Sequence, residues 1–386
     1  MAALGRAEEL RTERLLRVGT CLADCGYGAQ VGQLAGTARA LRADAQLWAV
    51  HACYRGPKGR TLLIYAARTG NVDRIVFLLK CGADVEAVTN KGGTALRVAC
   101  QEGHCEAARV LVECGGANVN ATRNANGKTA LMWASINGHL EIVRFLVERG
   151  SANVNAARTT DGQTALMWAC QNGHLEIVRF LVERGGANVN AATTTDGMTA
   201  LMWACQNGHL EIVRFLVERG GANVNAARST DGMTALLWAI QSGQLEILRF
   251  LVERGGANVN AARTTDGMTA LLWAGQNGHL ETARYLVERG GASARIFDSS
   301  GSTALILACE GGHQEVVQFL LQRGAVVNAQ RGACGRTALM FAASRGHVAT
   351  VRLLLEHGAL KHLVSHAGHT ARDYAVSHPL VLAALA

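Results

Sequence analysis

Residues 161–195, with the sequence DGQTALMWACQNGHLEIVRFLVERGGANVNAATTT, contain two short apolar segments separated by Gly173. Within each segment the apolar residues recur at the spacing of one helix face, so the stretch predicts two consecutive helices. Thr164 is placed to cap the first helix and Gly173 to end it, because glycine adopts the left-handed conformation without strain. The polar residues 187–197 that follow predict an extended loop, here called the finger.

The same pattern recurs along most of the chain. The threonine equivalent to Thr164 returns at steps of 33 to 35 residues, at Thr61, Thr94, Thr129, Thr199, Thr234, Thr269, Thr303, Thr337 and Thr370. A fixed period of this length is typical of a repeat protein, in which each unit buries its apolar face against its neighbours. The sequence predicts an all-α repeat solenoid over residues 58–386, which ends in a capping half-repeat from Gly368. An N-terminal helical segment is predicted over residues 1–57.

The units that begin at Thr129, Thr164 and Thr199 share the pattern G-x-T-A-L-x-x-A-x-x-x-G-H-x-E-x-V-x-x-L-V-E, which resembles the ankyrin repeat. Two departures are systematic, since Ala165 and Met167 replace the proline and histidine of that family's T-P-L-H motif. The resemblance implies stacked helix-turn-helix units with extended fingers, and partner proteins that bind to the fingers and to the concave ends of the helices. In this sequence those helix ends correspond to Gln171, Asn172, Gln206, Asn207, Gln241, Gln276 and Asn277.

Two kinds of finger residue are candidates for contact with a partner protein. Met198, Met233 and Met268 precede the repeat threonine, where we expect no packing demand for an apolar residue, and methionine is common on adaptable binding surfaces. Arginines recur on the outgoing side of the finger, at Arg123, Arg158, Arg228 and Arg263. They form either a solvated row or a row that attracts a partner with an acidic surface.

Tryptophan and histidine also recur at fixed repeat positions. The tryptophans, at Trp133, Trp168, Trp203, Trp238 and Trp273, are expected in the core, because an aromatic at helical spacing packs inward. This leaves no aromatic platform for the bases of a nucleic acid. One histidine per unit follows the turn glycine in most repeats, as at His174, which favours a structural hydrogen bond because a metal site needs several converging ligands.

Composition narrows the classes of function. The net charge of +8 raises nucleic-acid binding as an alternative, but the missing aromatic platform argues against it. We find no strand-borne nucleophile, no phosphate-binding glycine loop and no isolated acid pair, so we predict no enzymatic activity, no cofactor and no metal. The N-terminus has no long apolar run and the 11 cysteines are odd in number. These features predict free thiols, no membrane insertion and a cytoplasmic or nuclear location.

The N-terminal segment allows two interpretations. It could be a helical cap over the first repeat, since solenoids need their terminal apolar faces covered. Alternatively, the runs ERLLRV (residues 13–18) and RALR (residues 39–42) resemble an F-box, which implies docking to a Skp-type adaptor of a cullin-RING ubiquitin ligase. Under that alternative the ankyrin array would recognise the substrate. The docking residues would be Leu15, Leu16, Leu34, Leu47 and Trp48.

The central units are nearly identical in sequence. Residues 163–197 and 198–232 differ at three positions, where Gln163, Thr193 and Thr194 are replaced by methionine, arginine and serine. Identical units present identical surfaces to a partner. We therefore expect either a partner that is itself repetitive, or discrimination by the divergent units near the two ends, and we favour the second.

Overall fold

The computed structural model describes residues 57–122 and 127–386. They belong to two compact units, unit 1 over Met1–Thr195 and unit 2 over Asp196–Ala386. The N-terminal segment up to residue 56, with its F-box-like residues, lies outside the described residues, as does Arg123. The predictions made for those residues stay predictions.

The described part of unit 1 contains four helix pairs that stack on one another. In each pair a short first helix is followed after a turn by a nine-residue second helix. The pairs are Leu62–Arg68 (α1) with Val72–Lys80 (α2), Ala95–Glu102 (α3) with Cys105–Glu113 (α4), Ala130–Ile136 (α5) with Leu140–Glu148 (α6), and Ala165–Asn172 (α7) with Leu175–Glu183 (α8).

Unit 2 continues the same organisation with six helix pairs. The pairs are Ala200–Gln206 (α9) with Leu210–Glu218 (α10), Ala235–Gln241 (α11) with Leu245–Glu253 (α12), Ala270–Asn277 (α13) with Leu280–Glu288 (α14), Ala304–Gly311 (α15) with Gln314–Gln322 (α16), Ala338–Ser344 (α17) with Val348–Glu356 (α18), and Ala371–Tyr374 (α19) with Pro379–Leu385 (α20). Isolated bridges join the two sides of some fingers, as between Ala227 and Thr234. The predicted all-α solenoid of helix pairs is confirmed.

The first helices begin and end where the sequence signals lie. Thr164 Oγ1 accepts a hydrogen bond from the backbone N–H of Met167 at 3.4 Å, and Thr234 Oγ1 accepts one from Leu237 at 3.4 Å. Such a cap is worth about 1 kcal/mol, because it satisfies a backbone donor that the first helical turn leaves open. Gly173 ends α7 in the left-handed conformation, with φ of 81°.

Apolar residues of both helices in a pair form the core. In unit 1, Leu166 and Ala169 of α7 and Ile177 and Leu181 of α8 are fully or nearly fully buried. Burial of a leucine or isoleucine side chain contributes about 1.5–3 kcal/mol, so the regular apolar pattern accounts for the helix pairing. The tryptophans are less buried than we expected. Trp168 and its equivalents in most repeats are half-buried.

The repeated histidines connect neighbouring helix pairs within each unit. In unit 1, His174 Nε2 donates to the carbonyl oxygen of Ile136 in the preceding pair, at 3.0 Å. In unit 2, His313 Nε2 donates to the carbonyl oxygen of Gln276 at 3.0 Å. A carbonyl oxygen only accepts, so the histidine must carry the proton on Nε2. The predicted structural hydrogen bond is confirmed.

Asparagines hold successive fingers together. In unit 1, Asn155 Nδ2 donates to the carbonyl oxygen of Gly186 at 3.1 Å, and its Oδ1 accepts from the N–H of Asn188 at 2.7 Å. In unit 2, Asn225 makes the equivalent pair of bonds with the next finger. Because a side-chain amide both donates and accepts, one asparagine can satisfy two backbone groups and so fix the spacing between fingers.

Candidate protein-binding surface

The first helices end in polar residues that reach the surface. In unit 1, Asn172 is exposed, and its Nδ2 donates to the carbonyl oxygen of Trp168 at 2.9 Å. In unit 2, Asn207 Nδ2 donates to the carbonyl oxygen of Trp203 at 2.8 Å, and Asn277 makes the same bond within its own helix. This bond occupies one of the two amide protons and orients the side chain. The side-chain amide oxygen of each asparagine is an acceptor suited to the backbone N–H groups of a partner.

The glutamines predicted beside these asparagines differ in exposure. Gln241 and Gln276 are exposed, whereas Gln171 and Gln206 are half-buried. In each unit the helix ends thus present polar side chains of the amide type. Their role in binding a partner stays a prediction.

The prediction that Met198, Met233 and Met268 are exposed contact residues is wrong. Only 2%, 1% and 5% of their surface is exposed. They lie at the base of the finger, where the chain enters the first helix, and the backbone N–H of Met233 donates to Asp231 Oδ1 at 3.1 Å. Packing therefore demands an apolar side chain at this position, which we did not expect. These methionines stabilise the finger and are not available as a surface for a partner.

The arginines of two fingers in unit 2 are held in ion pairs. Arg228 donates from Nε to Oδ1 of Asp231 at 2.8 Å and from Nη2 to Oδ2 at 2.6 Å. Arg263 and Asp266 form the same two-bond pair. The hydrogen bond from Arg228 lowers the pKa of Asp231, and the bond to Asp231 raises the pKa of Arg228. Each positive charge is thereby neutralised by a carboxylate of its own finger.

Arg158 of unit 1 has the same arrangement and also contacts an aromatic ring. Its Nε donates to Asp161 Oδ1 at 2.6 Å. Burial opposes ionisation of Asp161, but the hydrogen bonds it accepts, first that from Arg158, leave its pKa lowered. The guanidinium carbon of Arg158 lies 5.2 Å from the Trp168 ring centre, and that of Arg228 lies 5.2 Å from Trp238. The sequence left two interpretations of the finger arginines open, solvated side chains or a surface that attracts an acidic partner. The structure shows Arg158 and Arg228 held in ion pairs and stacked on tryptophan rings.

Two early fingers of unit 1 differ in sequence from the central fingers. Lys91 and Asn126 stand where the central fingers have the aspartate of their Asp-Gly pair, as at Asp161 and Asp231. A lysine, Lys128, takes the position of Met198, Met233 and Met268. These two fingers therefore lack the aspartate with which the central fingers pair their arginine.

Lys128 is placed between two tryptophan rings. Only 9% of its surface is exposed. Its Nζ lies 4.7 Å from the Trp133 ring centre and 4.0 Å from the Trp168 ring centre, within the range of a cation–π interaction. Burial lowers the pKa of Lys128, and the positive charge of Arg158 acts in the same direction.

Arg97 adds a further cation against one of these two rings, that of Trp133. Its guanidinium lies against Gly93, where the missing side chain leaves room for it, and 5.3 Å from the Trp133 ring centre. Its Nη1 donates to Gln101 Oε1 at 2.9 Å. Burial lowers the pKa of Arg97, with Glu102 partly opposing that effect. We call Arg97, Lys128, Arg158, Trp133 and Trp168 the cationic cluster.

Arg97 and Lys128 were not predicted from the sequence as candidate functional residues. Each is a departure from the repeat, since Arg97 replaces the methionine found at Met132 and Lys128 replaces the methionine found at Met198. Together with the missing aspartates, these departures were the signal that could have identified the cluster. The regular pattern instead directed attention to the residues that repeat.

The described residues also limit the chemistry of the surface. Within residues 57–122 and 127–386, no group of three or more histidine, cysteine, aspartate or glutamate residues is arranged to hold a metal ion. No helix in that part of the chain has the length and apolar character needed to cross a membrane. Burial raises the pKa of the Cys100, Cys205 and Cys309 thiols, which makes them poor nucleophiles.

Comparison with known proteins gives two results. The family model described as ankyrin repeats (3 copies) matches residues 29–123, 115–193, 185–263, 256–331 and 326–385. A human protein named protein phosphatase 1 regulatory subunit 27 is 35% identical over 68 residues, which are 18% of this chain and 44% of that protein. This chain thus spans less than half the length of that relative. The family match covers most of the sequence, and the chain belongs to the ankyrin repeat family.

Proposed function

We propose that this chain is a non-catalytic adaptor that binds partner proteins through its fingers and through the exposed ends of its first helices. Ankyrin repeats are protein-interaction modules, and the family match extends over most of the chain. The observation that carries the proposal is the ordered surface of amide side chains at the helix ends. Asn172 in unit 1 and Asn207 and Asn277 in unit 2 repeat one geometry, so each unit offers contacts of the same kind to a partner.

The structure favours binding without large rearrangement of the array. The helix ends belong to regular helices that the histidine bonds connect, as between His174 and Ile136. Asparagine bonds fix neighbouring fingers, as between Asn225 and Gly256. A surface that is ordered before binding loses little conformational entropy when a partner arrives.

The relative supports the adaptor class. Its name describes a regulatory subunit, which acts through another protein. The similarity covers a small part of this chain. We therefore extend to this chain only the class of function, and not the partner of the relative.

The shifted pKa values also support a non-catalytic role. They occur in ion pairs such as Arg228 with Asp231, in the buried thiols, and in the cations of the cluster. None of these arrangements combines a nucleophile with an adjacent base in the described residues, which is the combination expected of a catalytic site.

Affinity capture with the full chain tests the proposal. Immobilised protein is incubated with cell lysate, and bound proteins are quantified by mass spectrometry for the wild type and for a variant that replaces Asn172, Asn207 and Asn277 with lysine. Lysine adds bulk and charge at the helix ends, so we expect the specific partners to be depleted at least about tenfold.

A matched variant controls for changes away from the proposed surface. It replaces Arg179, Arg214 and Arg284 with alanine, which removes three exposed side chains of second helices. We expect this variant to retain the partners. Equal loss from both variants, or loss from the second-helix variant alone, would contradict the proposed surface.

A further inference from the structure

Near the end of unit 2, three arginines lie around one carboxylate. Arg331 Nη1 lies 3.5 Å from Glu310 Oε2, and Arg345 Nη2 lies 3.1 Å from Glu310 Oε1. Arg336 forms no ion pair within unit 2, whose residues 196–386 the structure describes in full. We call Arg331, Arg336, Arg345 and Glu310 the arginine site. Its three positive charges exceed the charge of the carboxylate they surround.

The sequence of this finger explains the imbalance. Arg331 occupies the position that Arg228 has in a central finger, but Cys334 stands where that finger has Asp231. Without that aspartate, Arg331 Nε donates to Ser300 Oγ of the preceding finger at 3.0 Å. The finger arginine is thus retained here, and the carboxylate of its own finger is lost.

The preceding finger supplies no further counter-charge. Asp298 Oδ1 accepts from the N–H groups of Ser300 and Ser302, at 2.9 and 2.7 Å, and from the Ser300 hydroxyl at 2.7 Å. These donors hold Asp298 within its own turn, and in residues 196–386 it forms no ion pair with an arginine. Glu310 is therefore the carboxylate that partly balances the arginine site.

Arg336 is held in place before a ligand binds. Its guanidinium carbon lies 4.2 Å from the Phe341 ring centre and 4.1 Å from the Tyr374 ring centre. Its Nη2 donates to the carbonyl oxygen of Met340 at 3.3 Å and to Ser344 Oγ at 2.6 Å. Its Nε is buried without an acceptor, whereas Nη1 is accessible to solvent and has no partner in unit 2. The N–H groups of Nη1 are open to an acceptor from another molecule.

The charges of the site favour a carboxylate over a phosphate. A guanidinium group only donates hydrogen bonds, and its planar shape matches a carboxylate. Glu310 lies among the arginines and repels any anion that enters. Because that repulsion grows with the charge of the ligand, a phosphate with nearly two negative charges is disfavoured more than a carboxylate with one.

We propose that the arginine site binds a glutamate or aspartate side chain in an acidic segment of a partner protein. The carboxylate contacts Nη1 of Arg336 and the exposed guanidinium of Arg345. The bond from Arg336 to Ser344 brings the first group to the end of α17, and Arg345 occupies the helix-end position of Asn172. This inference rests on the proposed protein-binding function and names the chemical class of one partner.

Fluorescence anisotropy with the full chain tests the inference. The probe is fluorescein-labelled octaglutamate, with octaglutamine as the uncharged control, at about 50 mM salt, where exposed charges are weakly screened. In Arg336→Met and Arg345→Asn the new residue is the one found at the equivalent position, Met198 and Asn172. We expect octaglutamate to bind about tenfold more weakly to Arg336→Met, and about threefold more weakly to the more exposed Arg345→Asn.

Glu310→Gln tests the sign of the charge effect. Glutamine occupies the equivalent position at Gln206 and Gln241, so the change is compatible with the fold. It removes the internal partner of Arg331 and Arg345, and octaglutamate should therefore bind about threefold more tightly. Arginines with a purely structural role would give no such gain.

Arg352→Met is the matched control, with the same loss of charge in the same helix pair. Arg352 is exposed on the second helix, α18, and takes no part in the arginine site. We expect this variant to bind octaglutamate within about twofold of the wild type. Circular dichroism verifies folding, and Arg345→Asn and Glu310→Gln give the answer if Arg336→Met does not fold.

A single-stranded oligonucleotide of matched charge tests the other class of anionic macromolecule. The inference is overturned if octaglutamate does not bind the wild type, if Arg336→Met and Arg352→Met weaken binding equally, if Glu310→Gln weakens it, or if the oligonucleotide binds more tightly with the same dependence on Arg336. The adaptor function has its own test, because partner capture by Asn172, Asn207 and Asn277 is measured separately. Loss of captured partners only from that helix-end variant would support the function, while the peptide result decides the inference.

Discussion

The early fingers of unit 1 and the central fingers of unit 2 differ in charge, but they lead into helices of the same design. In unit 2, Arg228 is paired by Asp231 and stacked on Trp238. In unit 1, Lys128 and Arg97 lie against equivalent tryptophans, but the aspartate of the Asp-Gly pair is absent from both fingers.

The comparison separates what holds a repeat together from what lets it recognise a partner. The threonine caps, buried leucines and histidine bonds recur in both units, so the scaffold tolerates different finger charges. An arginine that is paired within its own finger has little attraction left for an anion. Divergence in the fingers can therefore create a binding preference without altering the fold.

The largest effect is expected from removal of the carboxylate in unit 2, which should reduce stability. Asp231→Asn weakens the ion pair with Arg228, and we expect the free energy of unfolding to fall by about 1–2 kcal/mol. The pKa of Asp231 is lowered in the folded state, so its stabilisation is complete above the unfolded value of about 4 and is lost as pH falls through the folded value. Urea denaturation at pH 7 and about pH 3 checks this, and an equal difference at both pH values would contradict it.

The helix caps should respond equally in the two units. Thr164→Ala and Thr234→Ala each remove a hydrogen bond of 3.4 Å to the first helical turn, at an expected loss of about 1 kcal/mol. Thermal unfolding of the two single variants under the same conditions measures both losses. A clear inequality would show that the scaffold differs between the units, and not only the finger charges.

Most of the fold could be predicted from the sequence, because regular local signals fix it. The caps at the repeat threonines and the left-handed turn at Gly173 are short-range features, and the structure confirms both. The apolar period also identified the buried residues of the helix pairs, such as Leu166 and Leu181.

The candidate site was harder to predict, because it depends on contacts between fingers and first helices. Met233 was expected at the surface, but it is buried at the finger base, which the linear sequence does not reveal. The arginine row was read as either free or acid-binding, because the stacking of Arg228 on Trp238 becomes visible only in three dimensions. Lys128 and Arg97 were passed over because they interrupt the repeat.

Hydrogen exchange of the full chain and of its Lys128→Met variant measures whether finger charge and helix scaffold are independent of each other. If they are independent, backbone amides of Ala130–Ile136 and Ala165–Asn172 exchange at similar rates in the two proteins. Clearly faster exchange of both helices in the variant would show that the finger lysine supports the scaffold, and would rule out a separation of the two.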